Sequence, residues 1–381
     1  MKLSRVRLHA EVRGEIRPYN TAMPDEGYCQ MDEKGLRPMD LRTGVSYFGN
    51  RTIRHVAADM QDIRDSGFDY VVHCFTESDL LWGLESMREI VRISHDIGLE
   101  VHLDPWGVAG VFGGEALSKF VTWNTDACQV LADGSAIGVI CLNHPKLVPF
   151  LREWIDAGID IGADALFFDE PHWYPGDTWY IGADKGTRET RWSCRCAVCL
   201  DLFQERYGQD MPLNRTPEVQ AFRADAVLNL TTELIGYSSA QGVVTDLCLL
   251  PHGITFDLVG VDNWEPFGAI AGLDMFGTDP YWRAGDTVPM EPYVRPNAKA
   301  VRDLCDAHAL RDQYWVQGYG FPKGTEHEIA DAIAIAMEEG ITDIAIWAYR
   351  SCDPLSKLWS EDIEATWRVV VDSLRKAKEG S

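Results

Sequence analysis

One local pattern restricts the fold of this chain more than any other feature. A helical stretch ends in a glycine, one or two residues follow, and a short apolar strand then runs to a polar end. The pattern stands at Asp65-Ser66-Gly67 before Phe68–His73, at Asp96-Ile97-Gly98 before Leu99–Asp104, and at Asp160-Ile161-Gly162 before Ala163–Asp169. It returns at Ala271-Gly272 before Leu273–Phe276 and at Glu339-Gly340 before Ile341–Trp347. Glycine takes the left-handed backbone that closes a helix, so the next strand starts within a few residues. Near-continuous apolar strands demand cover on both faces. Strands that alternate with helices make a parallel sheet.

The pattern predicts eight strands, at 44–48, 69–74, 99–103, 164–168, 243–249, 272–277, 313–317 and 342–347. Eight βα units close into an α/β (β/α)8 TIM barrel. An open doubly wound sheet would carry a glycine-rich phosphate turn after its first strand, and none is present. With 381 residues, the chain exceeds the roughly 250 that a barrel needs. The excess is assigned to an N-terminal extension at 1–43 packed on the barrel, to extended loops after strands 3 and 4 (105–143 and 171–193), and to a helical insertion at about 216–239 within the catalytic barrel at 44–381.

The formal charge of −24 repels phosphate backbones and anionic lipid, so neither nucleic acid nor membrane is an expected partner. The opening residues MKLSRVRLHAEVRGEIRP hold no apolar core of a secretory signal, and no apolar run is long enough to span a bilayer. The expectation is a cytoplasmic protein. Homo-oligomerisation is left open.

In a (β/α)8 barrel, polar side chains at the C-terminal ends of the strands face one bowl. Here those ends are rich in acids and large rings. Strand 3 runs into Asp104-Pro105-Trp106, strand 4 into Asp169-Glu170-Pro171-His172-Trp173, and strand 6 into Asp279-Pro280-Tyr281-Trp282. Strand 7 ends at Gln317 and strand 8 at Trp347, followed by Tyr349-Arg350. Flat rings stack on the C–H faces of sugars, and hydrolysis of a glycosidic bond needs two carboxyl groups beside it. Asp169, Glu170 and Asp279 are therefore the candidate catalytic residues. Asp104, Trp106, His172, Trp173, Tyr281, Trp282, Gln317, Trp347 and Arg350 are the candidate substrate-binding residues.

Asp169-Glu170-Pro171 resembles the Asn-Glu-Pro that ends strand 4 in clan A glycoside hydrolases, where the Glu is the general acid/base. Two departures stand beside the resemblance. Asp169 replaces the Asn, and Gln317 occupies the strand-7 end where that clan has its nucleophilic Glu. An amide cannot serve as a carboxylate nucleophile. The pair Asp169 and Asp279 is similar instead to clan D α-glycosidases, which use an Asp at each of those strand ends. That resemblance implies Asp169 as nucleophile and Asp279 as acid/base, with Glu170 binding hydroxyls or tuning a pKa. A third arrangement keeps Glu170 as acid and Asp279 as base or nucleophile.

Of the ten cysteines, three form Cys194-x-Cys196-x2-Cys199. Thiolates at this spacing suit tetrahedral zinc. The segment resembles the zinc-binding loop of glycoside hydrolase family 42 β-galactosidases, in which a fourth Cys comes from upstream. The resemblance implies Cys141 as that ligand, with Cys128 as substitute, and a closed structural Zn2+ site. No organic cofactor is expected.

The reading that follows is a glycosidase or transglycosylase acting on a small glycoside or oligosaccharide. The alternatives are a lyase or isomerase whose divalent metal is held by Asp169, Glu170 and Asp279, and a non-catalytic sugar-binding barrel.

Overall fold

A computed structural model describes residues 41–174, 192–252, 259–261, 263–284 and 287–380. The expected N-terminal extension lies outside the described residues, apart from 41–43. Two of those, Arg42 and Thr43, already belong to the first strand.

The described residues form ten strands: β1 Arg42–Tyr47, β2 Tyr70–Cys74, β3 Glu100–Asp104, β4 Cys128–Val130, β5 Ala136–Ile140, β6 Ala165–Asp169, β7 Val244–Cys248, β8 Met275–Thr278, β9 Arg311–Gln317 and β10 Asp343–Trp347. Eight of them close a parallel barrel in the order β1-β10-β9-β8-β7-β6-β3-β2, and β4 and β5 form a separate antiparallel hairpin. The chain is a (β/α)8 TIM barrel, as the helix-glycine-strand repeat requires. The principal covering helices are α1 Ile53–Asp65, α3 Leu84–Ile97, α5 Leu147–Asp160, α7 Pro217–Ser239, α9 Met290–His308, α10 His327–Glu338 and α11 Ile363–Gly380. Shorter helices are α2 Glu77–Trp82, α4 Lys119–Trp123, α6 Ala197–Tyr207 and α8 Glu265–Gly268. None of the described helices is long and apolar enough to cross a membrane.

The glycines act as the sequence implies. Gly98 closes α3 at φ 88, and Gly67, Gly162, Gly272 and Gly340 are also left-handed. One assignment changes. The segment expected as an insertion, Pro217–Ser239, packs on α5 and β7 as the covering helix of the fourth unit. The helix belonging to the loop is Ala197–Tyr207. Local pattern marks both as helical, and only docking decides which covers the barrel.

Side chains alternate across each barrel strand. Val71, Val101, Leu103, Leu166, Phe168, Leu247, Val316, Ile344 and Ile346 point outward into the main apolar core. Inside the barrel, Val72, Phe167, Trp315 and Ala345 form an apolar middle layer. Below it lies a polar layer. Tyr70 donates to Asp343 at 2.6 Å, Gln313 donates to Tyr70 at 3.1 Å, and His102 stacks on Tyr70 at 4.5 Å. Gly44 makes room for Tyr70, because a Cβ there would sit 2.0 Å from its ring. His102 Nε2 lies 3.1 Å from Glu100, and its Nδ1 lies 3.6 Å from Asp246. The longer of these is a charge contact rather than a hydrogen bond.

Burial by itself would depress the His102 pKa, but Asp246 and Glu100 overcome it and push it up to about 9. Burial also pushes Asp343 up to about 7, against the pull of its Tyr70 hydrogen bond and of Arg42. Both groups bind protons more tightly folded than unfolded. The stability from His102 is therefore whole below its unfolded pKa near 6.5 and lost as pH rises through about 9. The Asp343 contribution acts in the same direction at lower pH. The melting temperature should fall steadily from pH 6.5 to 9.5, and His102→Asn should flatten that slope. A wild-type slope unchanged in the variant would refute the assignment.

Candidate active site

The rim of the barrel follows from strand register. Cys74 pairs with Asp104 across β2 and β3, and Asp169 pairs with Cys248 across β6 and β7. Residues level with one another in a parallel sheet face the same side, so each acid meets a thiol inside the barrel. The Cys74 thiol donates to Asp104 at 3.3 Å, and Cys248 lies near enough to Asp279 to favour its ionised form. These two cysteines lie beside the acids. Strand register identifies them, and no local motif does.

Four carboxyl groups converge here: Asp104 from β3, Asp169 and Glu170 from the end of β6, and Asp279 just past β8. Glu170 N–H donates to the Cys248 carbonyl at 2.9 Å, and Glu170 itself has φ 45. A side chain bearing a Cβ pays about 1 kcal/mol or more for that left-handed backbone. The loop after β3 closes on the acids from one side. Gly113 N–H donates to the Asp169 carbonyl at 3.1 Å. A Cβ on Gly113 would lie 2.2 Å from Asp169 Oδ2 and 3.0 Å from Glu170 Oε2. The glycine is thus required by the close approach of both carboxyls, a role visible in sequence only as the glycine-rich run Gly107–Gly114.

The electrostatics are one-sided. Burial, more than anything else, raises all four acids. It pushes Asp104 up to about 8, with a smaller push from Glu115 and an opposing hydrogen bond from Cys74. Asp279 is likewise pushed up to about 8, with Glu170 and Cys248 hydrogen bonds opposing. Asp169 stands well above the carboxylate range through burial and the charges of Glu170, Asp104 and Asp246. Glu170 does so through burial and its contact with Asp279. Glu170 and Asp279 act on each other's ionisation, so near neutrality the pair rather than either group alone holds the proton.

Aromatic rings wall the bowl. Phe48 packs on Trp106 at 4.9 Å and lies nearly parallel to Trp347 at 5.6 Å. Tyr281 meets Tyr319 edge to face at 5.4 Å. Trp106, Tyr281 and Trp347 keep part of their surface open. Asp104, Trp106, Tyr281 and Trp347 therefore gather with the three catalytic candidates.

Other candidates are occupied elsewhere. Trp173 is 0% exposed and donates to the Arg223 carbonyl at 2.9 Å. Trp282 is 1% exposed and donates to Glu328 at 2.6 Å. Both are packing residues, since a buried indole N–H needs a fixed acceptor. Gln317 is buried, accepting from Arg283 N–H at 2.9 Å and donating to the Tyr319 carbonyl at 3.0 Å, so it braces the rim. His172 bonds the Glu170 carbonyl, and burial lowers its pKa to about 4, so its ring is neutral. Arg350 pairs with Glu364 and Asp62. It lines a different cavity of ≈ 580 Å3 together with Tyr47, Asp59 and Tyr349.

The cysteine cluster forms as the sequence implies. Sγ atoms of Cys141, Cys194, Cys196 and Cys199 all lie within 4.8 Å of one another. Two of the separations are 3.4 Å (Cys141 to Cys199) and 3.5 Å (Cys141 to Cys196). A tetrahedral zinc with ~2.3 Å bonds places its sulfurs ~3.8 Å apart, so the residues fit a metal ion. Three N–H groups aim at the sulfurs: Val130 and Cys196 at Cys194, and Asn143 Nδ2 at Cys199, each at 3.4 Å. Such donors favour thiolate over thiol. Cys128 is not part of the cluster. The site ties the segment after the β4–β5 hairpin to the start of α6.

The chain matches no protein-family model, and no curated protein matches its sequence. Solved structures do share its fold. The catalytic domain of a β-amylase from Paenibacillus polymyxa is 9% identical at a TM-score of 0.62, over 88% of this chain and 99% of that one. An endo-1,4-β-mannanase from Rhizomucor miehei is 12% identical at a TM-score of 0.57, over 91% and 97%. An endo-β-1,4-mannanase from Thermotoga petrophila is 10% identical at a TM-score of 0.56, over 91% and 78%. At such identities the likeness establishes the barrel itself.

Gly113→Ala should remove ligand binding in the bowl while leaving the far-ultraviolet circular dichroism intact. Binding equal to wild type would show that the acids do not need this approach.

Proposed function

We propose that the chain is a glycosidase, or a transglycosylase, acting on a small glycoside or oligosaccharide. The observation that carries this reading is the convergence of four buried carboxyls with raised pKa values inside a ring of partly open aromatic faces. Protonated and ionised carboxyls side by side are what cleavage of a glycosidic bond uses. The fold shared with a β-amylase and two mannanases agrees with it.

Glu170 and Asp279 lie close enough to act on each other's ionisation, which pushes Glu170 up and eases Asp279 down. Asp279 is taken as the acid/base, and Glu170 tunes its proton. Asp169 is the nucleophile or base on the other side of the bond. Asp104, Trp106, Tyr281 and Trp347 hold the sugar. A divalent metal on the acids is the weaker reading. Among the described residues, ligand atoms close enough for a metal ion are found in the four cysteines.

The test is a panel of aryl glycosides of both anomers with the wild type and with Asp169→Asn, Glu170→Gln and Asp279→Asn. Loss of Asp169 or Asp279 should lower kcat/KM by ~10^2–10^4. Asp279 is protonated below about 8, so kcat/KM should fall as pH rises through that value. Full activity in all three variants would overturn the assignment, and no turnover of any glycoside would leave a binding protein.

We infer in addition that the cysteine cluster holds a structural Zn2+. Elemental analysis should find close to one zinc per chain. Cys196→Ser should lose it and lower the melting temperature by several degrees. Fresh protein with less than about half an equivalent would count against zinc, given the tight binding expected of four thiolates.

A further inference from the structure

The bowl holds, among the described residues, acids without a base. Among the described residues, the influences on Asp104, Asp169, Glu170 and Asp279 are burial, one another, Asp246, Glu115, and the thiols of Cys74 and Cys248. No arginine or lysine is among them. Arg283 is bound by Glu328 at 2.5 and 3.0 Å, and the charge of Lys357 acts on Glu115 rather than on any of the four acids. The one neighbouring histidine on this loop, His172, is neutral.

Two oxygens are also left over. Asp104 Oδ1 and Asp279 Oδ1 have no hydrogen-bond partner, although Asp104 is 0% and Asp279 8% exposed. Buried acceptors without donors are costly in a folded protein and mark the place a ligand completes. A ligand completes these oxygens by supplying donors, and one that also brings positive charge favours ionisation of acids that otherwise keep their protons. A hydroxyl supplies a donor only. A metal ion needs ligand atoms closed about one point, a condition that the described residues meet at the four cysteines. An ammonium group has three donors and a full charge, and the open faces of Trp106, Tyr281 and Trp347 suit both a cation and the ring that carries it.

Resting on the glycosidase reading above, we infer that the sugar bound in this bowl is cationic: an amino sugar whose ammonium supplies the positive charge that Asp104 and Asp279 lack. The specificity follows from charge-assisted hydrogen bonds, which are about twice as strong as neutral ones. Acetylation of the nitrogen removes the charge and two of the three donors, so the N-acetyl sugar is the matched control.

The experiment is isothermal titration of the full chain at pH 6.5 and constant potassium concentration. The ligands are glucosamine, galactosamine and the β-1,4 disaccharide of glucosamine, against their N-acetyl forms and glucose. The amino sugars should bind ~10-fold or more tighter than the neutral ones. Asp104→Asn and Asp279→Asn, nearly unchanged in shape, should bring the two sets within about twofold. If a variant does not fold, the wild-type comparison of amine with N-acetyl sugar decides alone. Equal or tighter binding of the neutral sugars overturns the inference, and turnover of neutral aryl glycosides would then leave the glycosidase reading standing. Mn2+ alone binding the wild type but not Asp279→Asn overturns it in favour of a metal site. If no sugar of either kind binds, both readings fall.

Discussion

Carboxyl groups taken out of water resist ionisation, and four of them in one bowl resist it together. This constraint governs the upper half of the barrel. Asp104, Asp169, Glu170 and Asp279 arrive from three strands and lose solvent, and neighbouring acids raise Asp169 and Glu170 further. The result is a set of acids that keep protons near neutral pH, the condition a general acid requires. The same burial makes this cluster costly to fold. A ligand that restores hydrogen bonds or charge also restores stability.

The barrel holds this arrangement by layering its interior. An apolar plug of Val72, Phe167, Trp315 and Ala345 separates the acids above from a second polar layer below. In the lower layer His102 lies between Glu100 and Asp246, so its charges are matched within the protein. In the upper layer no cation is among the influences on the acids from the described residues, and the acids keep their protons instead. The strained backbone of Glu170 and the bare approach of Gly113 lie in the upper layer as well, where backbone strain is placed by the surrounding fold rather than by local preference.

Much of this was legible in residue order. The glycine that closes a helix before five of the strands and the unbroken apolar runs together pointed to all eight barrel strands, with ends shifted by a few residues. β8, expected from 272, begins at Met275, because Leu273 packs into the outer core after the turn. The acids at strand ends were legible too, since a polar residue that ends a barrel strand faces the bowl. Adjacent aromatics were not separable. Trp106 and Trp173 both follow a strand-end acid, yet one lines the bowl and the other anchors α7 through the Arg223 carbonyl. A loop residue's direction depends on where the loop docks, and local sequence does not encode that.

The sequence by itself determined the alternation of strand and helix, the acids and rings at the rim, and the cysteine spacing. Each is a property of neighbours along the chain: a helix stop, a two-residue period, a ligand turn. Only the tertiary structure decided that Cys74 and Cys248 sit against the acids, that Gln317 braces the rim, that Cys141 rather than Cys128 completes the cysteine cluster, and that Glu170 and Asp279 act on each other's ionisation. These are pairings between strands or loops far apart in sequence. Their geometry comes from barrel closure and register, which no short stretch of residues contains.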